Sequence, residues 1–158
     1  QCGTLEHPSN TSRTYENEEV CFSFLIPENY RAMGTRQGVL ILEPATFDYV
    51  QCVIQNNLPG EGPPVSVSVY LEPVTSTGAS LRSLVFQAQP WLEREGFDFR
   101  DTTFAGRPAL AFSQLNRLYD ETTKYMAVVS PDRRTLIMLV GPQDGNELER
   151  ALSSFAFE

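Results

Sequence analysis

Three segments of strand length occupy most of the C-terminal half of the chain, at residues 107–115, 122–130 and 134–140. Two of the three are apolar at both odd and even positions. A strand that is apolar on both faces indicates a sheet that is covered on both sides. The pattern therefore predicts a central sheet with other elements packed against each face.

Short turns join these strands into hairpins. Ala105-Gly106 connects residues 97–104 to the first strand, and the run from Pro131 to Arg133 connects the last two strands. Both runs contain residues that favour tight turns. The N-terminal half adds four segments with strand patterns, at residues 20–26, 38–43, 48–55 and 65–71.

Two segments have the spacing of amphipathic helices. In residues 80–95 apolar residues recur every three or four positions, and Pro90 lies inside the pattern, which predicts a kink or two short helices. A last helix is expected to begin at Asp144 as its N-cap. Its apolar stripe consists of Leu148, Ala151, Leu152 and Phe155. Hairpins flanked by helices predict an α+β fold, an α/β/α sandwich with a mostly antiparallel sheet of about six to eight strands and helices on both faces.

The length and net charge of the chain limit the number of domains and the classes of partner. The 158 residues are enough for one domain, which we place at residues 14–158 after a polar, flexible tether at residues 1–13. The net charge of −8 disfavours nucleic acid and anionic lipid heads as partners. No apolar run has the length of about 20 residues that a bilayer-spanning helix needs.

The three cysteines bear on the cellular compartment. Cys2, at the start of the polar tether, is where bacterial lipoproteins carry a lipid, although Gln1 precedes it where that signal prefers a small residue. The only membrane contact we expect is through such a lipid. Cys21 and Cys52 form a disulfide if their predicted strands pack together, or else remain two buried thiols. A disulfide would indicate an oxidising compartment.

The chain contains few candidates for catalysis. The single histidine, His7, lies in the tether, which is a poor place to hold a base against a nucleophile. Four carboxylates surround the Gly96 turn and could bind calcium or serve as acid and base, or they could simply face water at a helix end. They are Glu93, Glu95, Asp98 and Asp101.

Two further features are candidates for recognition. The run NNLPGEGPP, residues 56–64, predicts a long irregular loop, and such loops often contact partners. Its candidate contact residues are Asn56, Asn57, Leu58 and Glu61. Trp91 could stack on a ligand, but its place in a helical apolar stripe favours packing in the core.

Three stretches resemble PsbP-like domains: YENEEVCFSFLIPENY, TFAGRPALAF, and the closing YMAVVSPDRRTLIMLVGPQDGNELERALSSFAF. The resemblance covers most of the chain in order. It implies an α/β/α sandwich around an antiparallel sheet and a family of binding and accessory proteins without a shared catalytic residue. That family includes extrinsic photosystem II subunits, bacterial envelope lipoproteins and a nuclear-import factor that binds a small GTPase. The Cys21/Cys52 pair and the NNLPGEGPP loop depart from its pattern.

These observations favour a non-enzymatic, extracytoplasmic binding or accessory domain of bacterial origin, either secreted or anchored in the envelope. We expect no cofactor and no metal, and we expect another protein as the partner. Two alternatives remain open at this point. One is a carboxylate-based hydrolase or calcium-binding domain that uses the acidic residues around Gly96, and the other is a cytoplasmic adaptor that binds a protein.

Overall fold

A computed structural model describes residues 8–56, 66–76, 78–116 and 120–158 of the chain. These residues form ten strands and four helices. The strands are β1 (Ser12–Asn17), β2 (Phe22–Pro27), β3 (Arg31–Thr35), β4 (Gly38–Leu42), β5 (Val67–Pro73), β6 (Gly96–Phe104), β7 (Arg107–Asn116), β8 (Glu121–Val129), β9 (Thr135–Pro142) and β10 (Ala156–Phe157). The helices are α1 (Pro44–Gln55), α2 (Leu81–Ala88), α3 (Leu92–Glu95) and α4 (Asn146–Ser154).

The strands form two antiparallel sheets. The larger sheet has seven strands in the order β3-β4-β5-β9-β8-β7-β6, and the smaller has the order β1-β2-β10. Both hairpins that the turn residues predicted are present. Ala105 and Gly106 adopt φ angles of 51° and 74°. Positive φ at both central residues is typical of the tight turn that matches the twist of a hairpin.

One face of the large sheet is covered by the small sheet together with α4. Because alternate residues of β2 point inward, Phe22 and Phe24 are buried and stack on Phe155 with ring centroids 5.2 and 6.4 Å apart. Leu148 and Ala151 of α4 are buried in the same layer. The remaining buried members are Ile26, Tyr30, Ile41, Val67, Val69, Phe104, Ala109, Val128, Ile137 and Leu139.

The opposite face is covered by α2 and α3. Leu84 and Val85 of α2 and Leu92 of α3 are buried against it. The sheet contributes Leu110, Phe112, Tyr125, Ala127, Leu136, Met138 and Val140 to this core. The predicted α+β sandwich, with a mostly antiparallel sheet and helices on both faces, is therefore confirmed.

Pro90 divides the predicted helical segment in two, as its position indicates. Helix α2 ends at Ala88 and α3 begins at Leu92. Ser80 caps α2, because its hydroxyl oxygen accepts a hydrogen bond from the Ser83 backbone N–H at 3.1 Å. The interruption lets both short helices lie on the same face of the sheet.

The predicted strand at residues 48–55 is wrong, because these residues belong to helix α1. Pro44 is the cause of the error: it can end a strand, but it also suits the first turn of a helix, where its missing N–H is not needed. Thr46 donates a hydrogen bond to the Glu43 side chain at 3.0 Å beside this helix start. The period-two pattern of residues 48–55 could not outweigh this local preference.

Two predicted boundaries are also wrong. Ser12 and Arg13, which the sequence assigned to the tether, are the first residues of β1, where they pair with Pro27 and Ile26. Helix α4 has Gly145 as its N-cap rather than Asp144, and no side chain caps it. A polar edge strand has no apolar run to reveal it, because its stability comes from backbone pairing.

Candidate functional site

A cleft of about 400 Å³ lies beside α2, at one end of the large sheet. One wall comes from the segment after β5 and from α2, and the other comes from the start of β7, the end of β8 and the turn between β8 and β9. We call it the arginine cleft. Its lining residues are Val74, Ser76, Gly78, Ala79, Leu81, Leu84, Arg107, Pro108, Val129 and Arg133.

Arg107 is held in place by backbone carbonyl groups. The Ala105-Gly106 turn puts it at the first position of β7. Its Nε donates to the Val129 carbonyl oxygen at 2.9 Å, and a second guanidinium nitrogen contacts the Ser130 carbonyl oxygen at 3.5 Å. A guanidinium has five N–H donors, and carbonyl acceptors do not neutralise its charge. Arg107 is therefore oriented but retains donors for a ligand.

Arg133 is positioned by the turn between β8 and β9. Its φ is 63°, and its backbone N–H donates to the Ser130 carbonyl oxygen at 2.8 Å. The neighbouring Asp132 carboxylate accepts hydrogen bonds from the Ser130 hydroxyl at 2.6 Å and from the Arg134 backbone N–H at 3.0 Å. These two bonds hold the pKa of Asp132 below its usual range. Because the turn is fixed from within, the backbone of Arg133 holds a defined position at the edge of the cleft.

The charge of the cleft is opposite to that of the whole chain. Among the described residues, no acidic side chain lines it, although the chain carries a net charge of −8. Within the described ranges, the one ion pair joins Lys124 to Glu149 at 3.9 Å and involves neither cleft arginine. Two guanidinium groups beside aliphatic walls suit a ligand that has both an anionic group and an apolar part.

A second cleft, of about 420 Å³, lies near the β3–β4 hairpin. Its lining includes the acidic residues Glu19 and Glu72 as well as the basic residues Arg36 and Arg134. Opposite charges that line one open cleft attract water and each other, so they select no particular ligand charge. The arginine cleft is the better candidate because its charges have one sign.

Neither alternative for Cys21 and Cys52, a disulfide between them or two buried thiols, is present. Cys21 lies in the turn before β2 with φ 62°, and its thiol is free and exposed. Cys52 lies on α1 rather than on a strand, and it is disulfide-bonded. The prediction failed because it placed both cysteines on neighbouring strands. Cys2, the expected lipid attachment point, lies outside the described residues, as does His7.

The four carboxylates around Gly96 are exposed. Glu93 and Glu95 belong to α3, whereas Asp98 and Asp101 belong to β6, where Asp98 has φ 55° at an irregularity in the pairing with β7. In the described part of the chain, no group of three or more His, Cys, Asp or Glu residues could hold a metal ion. The arrangement corresponds to a solvated helix end rather than to a built site.

The predicted partner loop falls mostly outside the described residues, which include Asn56 but not Asn57, Leu58 or Glu61. Asn56 is the C-cap of α1, and its side-chain amide donates to the Cys52 carbonyl oxygen at 2.8 Å. Its side chain is exposed. Asn56 therefore ends a helix, and the contact role of the loop stays a prediction.

Trp91 is not in the core, contrary to the interpretation of the helical spacing. It is 45% exposed, whereas the next residue, Leu92, is fully buried. The break at Pro90 resets the helical phase, so that Leu92 takes the inward position. Phe97 and Leu115 are also partly exposed. No described contact joins these three side chains into one binding site.

Sequence reasoning missed Arg107 and Arg133 as site residues. Both follow or occupy predicted hairpin turns, and that position was the available signal. The antiparallel register, in which Ala109 pairs with Val128, brings the start of β7 close to the end of β8. The packing of α2 beside them then encloses the cleft, and this packing cannot be deduced from strand patterns.

The architecture and its comparisons define a class of fold. No family profile and no curated protein matches the chain. The solved structures do provide a match over the whole chain, and it shows that the chain has a PsbP-like fold. The similar structure is the solution structure of cyanobacterial PsbP (CyanoP) from Synechocystis sp. PCC 6803. The two share 11% identity with a TM-score of 0.56, over 100% of this chain and 98% of that chain.

None of the described helices is long and apolar enough to cross a membrane.

Proposed function

We propose that this chain is a non-enzymatic binding or accessory domain that acts outside the cytoplasm, and that it binds through the arginine cleft. The observation that carries the proposal is the cleft itself, which is lined by two arginine residues and aliphatic side chains, with no acidic residue among its described lining. A concave, mostly apolar site with a few convergent polar groups is typical of small-ligand sites. The PsbP-like fold supports a binding or accessory role.

The compartment is supported by the cysteines. Cys52 is disulfide-bonded. Disulfides persist in the extracellular space, the bacterial periplasm and similar oxidising environments, and they are rare in the cytosol. We therefore propose a bacterial protein that is secreted or anchored in the envelope. The partner that we propose for an accessory domain is another protein of the same compartment.

A fluorescent apolar anion tests the proposal at the level of the site. The probe is 8-anilinonaphthalene-1-sulfonate, which combines an aromatic body with one sulfonate. Fluorescence titration should show saturable binding to the wild-type protein, and the double variant R107Q/R133Q should weaken it about tenfold or more, because two charge-assisted contacts are lost. Circular dichroism verifies that the variant is folded.

Arg94→Gln is the matched control, because Arg94 lies on α3 and does not line the cleft. It removes one positive charge outside the cleft, as each cleft substitution does inside it, and it should leave probe binding unchanged. Equal binding by the wild type and the folded double variant would contradict a role for the cleft. Equal weakening by Arg94→Gln would mean that only the overall charge of the protein matters.

A further inference from the structure

We infer that the arginine cleft binds a long-chain carboxylate of the fatty-acid class, and this inference rests on the proposed function. Three features of the cleft support it: the arginines that would receive the carboxylate, the walls that would receive the chain, and the volume that limits the size of the ligand. The ligand class is narrower than the proposed function, which requires only an apolar anion.

The polar end of the cleft favours a planar anion. Arg107 and Arg133 are its cationic residues, and the part of the lining that the structure describes contains neither lysine nor histidine. A guanidinium presents a flat fork of N–H donors that matches the two oxygens of a carboxylate, whereas an ammonium acts as a point charge. Since carbonyl groups of Val129 and Ser130 orient Arg107, part of the entropic cost of ordering that side chain is met before the ligand arrives.

The walls favour a hydrocarbon chain over a peptide. The apolar lining side chains are aliphatic, from Val74, Ala79, Leu81, Leu84, Pro108 and Val129. Ser76 is the lining residue with a side-chain hydroxyl, and its oxygen lies 3.4 Å from the Gln87 side-chain oxygen. A buried peptide would need partners for an N–H and a C=O at every residue, and each amide left unpaired costs free energy. A methylene chain makes no such demand.

The volume of the cleft favours a ligand with one hydrocarbon chain over a ligand with two. At about 400 Å³ the cleft lies near the lower end of the range for small-molecule sites. A single saturated chain can bend to follow such a wall, while a two-chain phospholipid would leave most of its surface in water. We therefore expect single-chain carboxylates to bind and two-chain phospholipids to bind more weakly.

Isothermal titration calorimetry with sodium decanoate, below its micelle concentration, tests the inference. Decanoate should bind at one site, and decylamine, which has the same chain and the opposite charge, should not. Butyrate should bind at least about tenfold more weakly, because each buried methylene contributes to affinity. Decanoate recovered after long incubation should be chemically unchanged, as expected for a domain without catalysis.

The variant series separates charge from folding. R107Q/R133Q should weaken decanoate binding about tenfold or more, and Arg94→Gln should not. Since Arg107 also contacts the end of β8, R133Q alone is the safer variant and should still weaken binding several-fold, by about three- to tenfold. A folded R133Q that binds decanoate as tightly as the wild type would overturn the inference.

Other results of these titrations would show which part of the inference is wrong. Equal binding of decylamine and decanoate would show a chain-binding surface without charge selection and would reject the carboxylate. Displacement of decanoate by an acetylated peptide with a free C-terminal leucine, but not by the amidated peptide, would reassign the cleft to a protein C-terminus. If the fluorescent sulfonate requires both arginines but decanoate does not bind, the ligand class is wrong and the proposed function stands.

Discussion

Gly38 is the residue at which the backbone of the β3–β4 hairpin has least freedom. It begins β4 with φ 150°, a conformation that L side chains rarely adopt. A Cβ atom at this position would overlap the backbone carbonyl oxygen of Val69 on the neighbouring strand β5. The close approach of two strands and the unusual φ therefore both require glycine.

Gly38→Ala should destabilise the protein by about 2–4 kcal/mol, because backbone strain and a backbone clash act together. Gly34→Ala is the matched control on the same hairpin, since a Cβ at Gly34 meets no atom within 4 Å. Urea unfolding monitored by circular dichroism measures both. If the two variants lost the same free energy of unfolding, the close packing of β4 on β5 would be wrong.

Burial of the Tyr125 side chain should make the free energy of unfolding decrease at alkaline pH. Burial raises the pKa of its phenol well above the usual value near 10. Its hydroxyl donates to the Gln114 side-chain oxygen at 2.7 Å. The neutral phenol is thus favoured in the folded state. Above a pH of about 10 the unfolded state loses this proton and the folded state keeps it, so stability falls as the pH rises.

Tyr125→Phe should therefore lower stability at neutral pH and flatten its decline at alkaline pH. The free energy of unfolding, measured against pH for both proteins, gives the comparison. Burial also raises the pKa values of Tyr15 and Tyr30, so a smaller decline should remain in the variant. Parallel curves for wild type and variant would mean that Tyr125 ionises equally in both states.

Helix α4 and the small sheet form one layer, and the side chain of Phe155 packs between them. This residue follows α4 and contacts the rings of Phe22, Phe24, Phe104 and Phe157, with centroids 4.9–6.4 Å apart. Aromatic rings in such clusters contribute both buried area and ring-to-ring contact. The layer therefore depends on one side chain more than on the two-residue strand β10.

Phe155→Ala should cost about 3–5 kcal/mol, because a buried aromatic side chain is replaced by a cavity. Leu25→Ala is a suitable control, since Leu25 on β2 is 38% exposed and points away from this core. Thermal unfolding followed by calorimetry distinguishes them. A loss for Phe155→Ala no greater than that for Leu25→Ala would show that the small sheet is not packed as described.

The elements that the sequence predicted are recognisable by their apolar residues. Buried residues alternate along much of β2, β9 is buried at nearly every position, and the stripe of α4 was recognised by its helical period. The strands that were missed, β1, β3 and β10, are all edge strands held by backbone pairing. Helix α1 was misassigned because its half-buried surface has no clean helical period, so that Pro44 and a short alternation gave conflicting signals.

At the scale of the whole molecule, the two apolar faces of the last strands predicted a covered sheet, and the structure has cores on both sides of it. The strand order could not be predicted, because β5 pairs with β9, which lies far from it along the chain. The strand patterns do not indicate which hairpins pair in this way. The arginine cleft depends on that order and on the packing of α2. Its residues were visible in the sequence only as turn residues.

The reactivity of the cysteine side chains tests whether the protein belongs to an oxidising compartment. In native protein purified without reductant, iodoacetamide should modify Cys21, whose thiol is exposed, and should leave Cys52 unmodified. Peptide mass spectrometry identifies the modified residues. After reduction and unfolding, Cys52 should react as well. Modification of Cys52 in the unreduced native protein would remove the support that its disulfide gives to an extracytoplasmic location.

We propose that this domain, which has a PsbP-like fold, binds apolar anions in the cleft between α2 and the two hairpin turns. Backbone amide chemical shifts, recorded while 8-anilinonaphthalene-1-sulfonate is added, provide the test. The largest changes should fall on the cleft residues, among them Ala79, Leu81, Arg107, Val129 and Arg133. Changes centred instead on the exposed residues Trp91, Phe97 and Leu115, or spread evenly over the sheet, would contradict it.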